Sequence, residues 1–133
     1  MPSKLVADAV EAKLEADWSH CPVFGVNVAE SVPVDGSPFL VAQYPFSDAR
    51  RMALGDRFYR EDGAFRLVLH SERGLGLATA LVWSDELATL FRDQEFGGIE
   101  TQVPNPPFVD DRNDDGMYYV TAIVCLYTAN YAD

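Results

Sequence analysis

The sequence predicts an α+β fold in which a mainly antiparallel mixed sheet of about four to five strands carries two helices on one face. Two segments have apolar residues at helical spacing, and several other segments are rich in β-branched and aromatic residues. Along the chain these segments run in the order helix, strands, hairpin, helix, strands. The 133 residues suffice for one core, so we expect a single domain over residues 1–133.

The first helix is predicted to begin at Ser3, whose side chain can cap it, and to end near Trp18. Its apolar positions recur every four residues and form one stripe, which consists of Val6, Val10 and Leu14. The solvent-facing side carries charged residues, which are Lys4, Asp8, Glu11, Lys13 and Glu15. This segment therefore predicts an amphipathic helix that lies on the sheet.

The second helix is predicted over Leu77–Phe91, and it has the stronger apolar pattern. The stripe consists of Leu77, Ala80, Leu81, Ser84, Leu87, Ala88 and Phe91. Trp83 and Leu90 lie off this stripe, seven residues apart. They either reach a broad core or take part in an interface with another subunit.

The strands are predicted at Val23–Val28, Phe39–Tyr44, Ile99–Val103 and Met117–Tyr127. Pro45 is expected to bend the second of these strands or to confine it to a sheet edge. The segment that follows, Ser47–Tyr59, is either a continuation of that strand or an arm. The last strand is apolar at both sets of alternating positions, which predicts a central strand covered on both faces.

Asp62-Gly63 is a typical hairpin dipeptide, and it predicts a turn between residues 58–60 and a strand over residues 64–70. A sheet that is apolar on both faces is unusual for so small a domain. The simplest cover for the second face is another copy of the chain. The pattern therefore predicts self-association.

Acidic residues outnumber basic ones by 21 to 10, which gives a net charge of −11 and disfavours direct binding of nucleic-acid phosphates. The charge is unevenly distributed. Residues 50–66 hold five arginines against three acidic residues, a net charge of +2, so the rest of the chain carries −13. A basic segment on an acidic body indicates a contact between unlike surfaces, either between copies or with a partner.

Arginines and aromatic residues alternate in this basic segment, which admits three interpretations. It is a site for single-stranded nucleic acid, an ordinary solvated hairpin, or an arm that contacts a neighbouring subunit. The net charge of the rest of the chain argues against the first, and the enrichment of arginine and aromatic residues at interface centres favours the third. The candidate residues for a subunit or tube interface are Arg50, Arg51, Arg57, Phe58, Tyr59, Arg60, Trp83 and Leu90.

Patterns for catalysis or metal binding are weak, so we expect no catalytic residues, no metal and no cofactor. Asp111, Asn113, Asp115 and Gly116 match the start of a calcium loop, but Ala122 stands where the closing glutamate is required. Ser19-His20-Cys21 brings reactive residue types together in sequence, but adjacent side chains rarely point at one another. This tripeptide is better explained as the turn that ends the first helix.

Cys21 and Cys125 lack metal-ligand spacing, and both are expected to be small, partly buried, reduced residues. The segment MPSKLVADAVEAKLEAD is too charged to serve as the apolar core of a signal peptide. No apolar run is long enough to cross a bilayer, so no membrane association is expected.

Several segments together resemble a known family. They are the first helix, Val32–Leu40, Ala53–Asp56, Arg60–Phe65, Gly74-Leu75-Gly76 before Ala88–Phe91, and Asp115–Val120. In element order and turn motifs the chain is similar to the small tail-terminator and tail-completion proteins of long-tailed phages and gene-transfer-agent particles. The resemblance covers nearly the whole chain, and that family has no catalytic residues to carry over.

The resemblance implies a structural protein that forms a ring, usually hexameric, at the head-proximal end of a tail tube. Such a ring stops growth of the tube and joins the tail to the head. Its partners would be other copies of the chain, the tail tube protein and a neck or stopper protein, with DNA passing through without specific binding. The location would be the host cytoplasm during assembly and then the tail or neck of the particle.

An acidic lumen would let DNA slide through the ring, and on charge alone we expect it to be lined or fringed by Asp110, Asp111, Asp114 and Asp115.

Two alternative functions stay open. One is another neck or minor tail adaptor of the same fold, and the other is a small cellular enzyme or ligand-binding domain.

Overall fold

The computed structural model describes residues 4–24, 38–51, 58–72, 76–109 and 118–132. These ranges contain two helices and one sheet of seven strands. The elements are α1 (Lys4–Asp17), β1 (Val23–Phe24), β2 (Phe39–Arg51), β3 (Phe58–Glu72), α2 (Gly76–Phe91), β4 (Glu95–Phe96), β5 (Ile99–Thr101), β6 (Phe108–Val109) and β7 (Tyr118–Ala132).

The strand order in the sheet is β1-β2-β3-β7-β5-β4, and β6 also pairs with β7. Among the described strands, only β1 and β2 are parallel to each other. The predicted α+β class with a mainly antiparallel sheet is confirmed. Four strands have three or more residues, and the other three have two.

Both helices cover the same face of the sheet, as predicted. The apolar stripe of α1 is confirmed, because Val6, Val10 and Leu14 are fully buried. From α2, Leu87 and Phe91 enter the same core. The sheet side of this core is supplied chiefly by Leu40, Ala42, Phe65, Leu67, Leu69, Ile123, Cys125 and Tyr127.

α2 differs from its predicted stripe at the edges. Leu81 is 39% exposed, whereas Trp83 and Leu90 are partly buried against the core. The cause is the position of α1, whose final turn leads to Trp18 beside Trp83, with ring centroids 6.1 Å apart. α2 is therefore covered on the flank that carries Trp83 and open on the flank that carries Leu81.

The long strands β2, β3 and β7 form the centre of the sheet, with β7 lying between β3 and the short strands β5 and β6. The central position predicted for the last strand is confirmed. β2 continues through Pro45 as far as Arg51, with a register shift between Gln43 and Phe46. This irregularity accommodates a residue that lacks a backbone N–H.

The predicted hairpin at Asp62-Gly63 is wrong, because residues 58–72 form one continuous strand. Gly63 pairs with Ser47 on one side and with Tyr127 on the other. A Cβ atom at Gly63 would lie 2.6 Å from the carbonyl oxygen of Phe46 and 2.6 Å from the hydroxyl of Tyr127. The glycine therefore permits a close approach inside the sheet instead of a turn.

The ring of Tyr127 occupies the space beside Gly63. A buried hydrogen bond holds this ring in place. The Tyr127 hydroxyl donates to Oε2 of Glu61 at 2.7 Å, and Glu61 is only 2% exposed. Burial, and then the hydrogen bond to Glu61, raise the pKa of Tyr127 well above its usual value. This pair ties β3 to β7 beneath the helices.

Candidate assembly surfaces

The sheet face that points away from the helices is called the open sheet face here. It is built from six cross-strand rows of β2, β3 and β7, because paired residues of an antiparallel ladder share a face. The rows are Phe39–His70–Val120, Val41–Val68–Ala122, Gln43–Arg66–Val124, Phe46–Ala64–Leu126, Asp48–Asp62–Thr128 and Arg50–Arg60–Asn130.

Exposed apolar surface on this face is concentrated in one row. Phe46 is 55% exposed and Leu126 is 45% exposed, on either side of the buried Ala64. At the other end of the face Phe39 is buried and stacks on His70, with ring centroids 4.3 Å apart. The row of Phe46 and Leu126 is thus flanked on both sides by polar rows, as at the centre of a protein–protein interface.

The Asp62 carboxylate, in the row next to Phe46 and Leu126, binds the two arginines of the row beyond it. Arg60 Nε donates to both Asp62 oxygens at 3.1 and 3.2 Å, and Arg50 Nη2 lies 3.7 Å from Asp62 Oδ2. The Thr128 hydroxyl also donates to Asp62, at 2.8 Å. Burial raises the pKa of Asp62, but the hydrogen bonds from Thr128 and Arg60, together with the positive charges of Arg60 and Arg50, outweigh burial and lower the pKa. Two guanidinium groups thus share one ionised partner.

The third arginine of the open sheet face lies on the opposite side of the apolar row. Arg66 Nε donates to Oε1 of Gln43 at 2.8 Å, in the row next to Phe46. This bond uses one of the five N–H donors of the guanidinium group. Glu100 of β5 pairs with Thr128, and Glu95 of β4 pairs with Glu100, so both extend the open sheet face. With Asp48 and Asp62 they give this face four negative charges against its three arginines.

The exposed flank of α2 is a second surface with apolar residues beside an acidic one. Val82, Asp85 and Thr89 are exposed and spaced three to four residues apart, and Leu81, four residues before Asp85, is exposed beside them. These four residues are called the outer α2 face here. Val82 is 57% exposed. Asp85 supplies the charge of this face. The helix layer as a whole is acidic, since α1 holds two lysines against four acidic residues and α2 holds Asp85 and Glu86, a net charge of −4.

A cluster of rings joins the end of α1 to α2. His20 stacks on Trp83 with ring centroids 4.9 Å apart, and Trp18 meets His20 edge to face at 4.9 Å. Nε2 of His20 lies 2.6 Å from Oε2 of Glu86. These contacts place Ser19-His20-Cys21 in the connection after α1, and they give His20 a role in fixing the two helices together.

Two shallow grooves border this ring cluster. One, of about 280 Å³, lies between the helices and is lined by Asp17, Trp18, Asp85, Glu86, Thr89 and Leu90. The other, of about 400 Å³, is lined by Glu11, Leu14, Glu15, Trp18, Cys21, Pro22 and Val23. Both linings carry acidic side chains, which extends the negative character of the helix layer.

The candidate interface residues divide between the two layers of the domain. Arg50 and Arg60 lie directly opposite each other on the open sheet face, whereas Trp83 and Leu90 lie in the helix layer. Tyr59 lies in the adjacent row of β3, paired with Arg51, so the Tyr59 side chain lies on the other face. For Arg51 and Phe58 the description is limited to the backbone of β2 and β3.

Several predicted residues lie outside the described part of the chain. They are Arg57, Asp110, Asp111, Asp114, Asp115 and the rest of the partial calcium motif. Elsewhere, no group of three or more His, Cys, Asp or Glu side chains in the described ranges could hold a metal ion. No helix in those ranges is long and apolar enough to span a membrane.

Sequence reasoning did not identify Phe46, Leu126, Leu81 or Val82 as surface residues. The two-sided apolar pattern of the last strand was the signal for Leu126, since it predicted a second apolar face. Phe46 had no such signal, because the register shift at Pro45 decides which way it points. Leu81 and Val82 could not be separated from the core stripe without knowing where α1 lies.

The fold and these surfaces define a small two-layer α+β domain. The sequence profile of the family described as "Phage tail terminator protein" matches residues 5–127, nearly the whole chain. The chain belongs to the phage tail terminator family, so its role is a structural one in a phage tail. This family is structural and not catalytic, and its members fit a location in the tail or neck of the particle.

Comparison with solved structures supports the same fold. Nine chains match, and one of them aligns with 100% of this chain and 99% of its own length, at a TM-score of 0.62 and 22% sequence identity. Comparison with curated protein sequences finds no match.

Proposed function

We propose that this chain forms a ring that caps the head-proximal end of a phage-like tail tube, stops its growth and joins the tail to the head. The observation that carries the proposal is the family match over residues 5–127. A protein that terminates a tube must recognise the last ring of the tube while offering no further site for tube subunits. A closed ring of its own copies meets both requirements.

The charge of the chain supports a channel for DNA. Six copies at −11 each would give a ring a net charge of −66. An acidic bore repels phosphates, so DNA would pass through without adhering. Asp110, Asp111, Asp114 and Asp115 are proposed to line or fringe this bore. The tail tube protein and a neck or stopper protein are proposed as the partners on the two rims, in a phage or a gene-transfer-agent particle.

The exposed surfaces support association with other subunits. The described residues include six exposed large apolar side chains, and four of them lie on the open sheet face and the outer α2 face. Arg66 lies in the row on one side of Phe46 and Leu126, and Asp48 and Asp62 lie in the row on the other side. Asp85 lies one helical turn from Leu81 and Val82. Arg50 and Arg60, with Arg51, Arg57, Phe58 and Tyr59, are proposed to contact a neighbouring subunit or the tube.

Particles made without this protein test the proposal. We expect overlong tubes, or tubes without heads, in electron micrographs of cells that lack the chain, and tubes of uniform length after complementation. A frameshifted copy of the gene is the matched control for complementation. Tails of normal length joined to heads in the absence of the chain would refute the proposed function.

A further inference from the structure

We draw no further inference here: the strongest candidate, the exposed apolar row of Phe46 and Leu126 on the open sheet face, carries none, because this face and the helix layer are both net negative and nothing in the structure shows what covers the row.

Discussion

Replacing Gly63 with alanine should destabilise the domain, because the added methyl group has no space. The Cβ would lie 2.6 Å from the carbonyl oxygen of Phe46 and 2.6 Å from the Tyr127 hydroxyl. The carbonyl belongs to the backbone of β2, and the tyrosine is held by Glu61 at 2.7 Å, so neither contact can yield easily. If residue 63 lay in an exposed hairpin turn instead, an alanine there would contact neither the Phe46 carbonyl oxygen nor the Tyr127 hydroxyl.

The expected loss in the free energy of unfolding is the difference between two effects. Overpacking a filled site costs about 1–3 kcal/mol, and the lower entropy of the unfolded alanine chain returns roughly 0.4–1 kcal/mol. A net loss of about 1–2 kcal/mol lowers the melting temperature of a domain of this size by roughly 3–8 °C. Thermal unfolding followed by circular dichroism, with urea unfolding at 25 °C, measures both quantities.

A second variant separates the two clashes. Tyr127→Phe alone should cost about 1.5–3 kcal/mol, because the buried Glu61 carboxyl loses a hydrogen-bond donor. In that background the hydroxyl is absent, so Gly63→Ala should cost less than it does in the native chain. Equal stability of Gly63→Ala and the native protein, or a gain, would refute the close approach and with it the continuous β3 strand.

Three further predictions concern buried polar groups. Ser84→Ala removes the partner of the buried Thr121 hydroxyl, 3.0 Å away, and should cost about 1–2 kcal/mol by urea unfolding, whereas adding Thr121→Val should recover part of this loss because neither hydroxyl then remains. Burial raises the pKa values of Tyr44 and Tyr127 above that of the unfolded chain, so their contribution to stability is complete below about pH 10 and lost as the pH rises further. Urea unfolding at a series of alkaline pH values should therefore show a decline that is less steep in the double phenylalanine variant. Burial also raises the pKa of Cys125 to about 12, so a thiol reagent at about pH 8 should modify it only after denaturant is added.

The helices and strands could be predicted from local sequence patterns. The hairpin at Asp62-Gly63 and the exposed flank of α2 could not, because both depend on tertiary packing. The period of α1, the length of α2 and the central position of β7 are properties of the segments themselves. Asp62-Gly63 has the local chemistry of a turn, yet the close approach of Tyr127 requires the same glycine inside a strand. Sequence pattern alone does not distinguish these two uses of glycine.

The sequence predicts that surfaces for contact with other subunits exist, but it does not identify the residues that form them. The charge asymmetry and the two-sided last strand are properties of the sequence. The asymmetry indicates a contact between copies or with a partner, and the two-sided strand indicates self-association. The pairing of Arg50 and Arg60 with Asp62 depends on the register of β2 and β3, which a hairpin at Asp62-Gly63 would not allow. The flank of α2 that remains exposed depends on where α1 lies, which the sequence of α2 does not contain.

The central claim is termination of a tube by a ring, and it can be tested by imaging purified tail tubes after addition of this protein. Electron microscopy should show one ring at a single end of each tube, and capped tubes should not lengthen when more tube protein is supplied. Decoration along the length of the tube, or continued growth of capped tubes at the usual rate, would contradict the account.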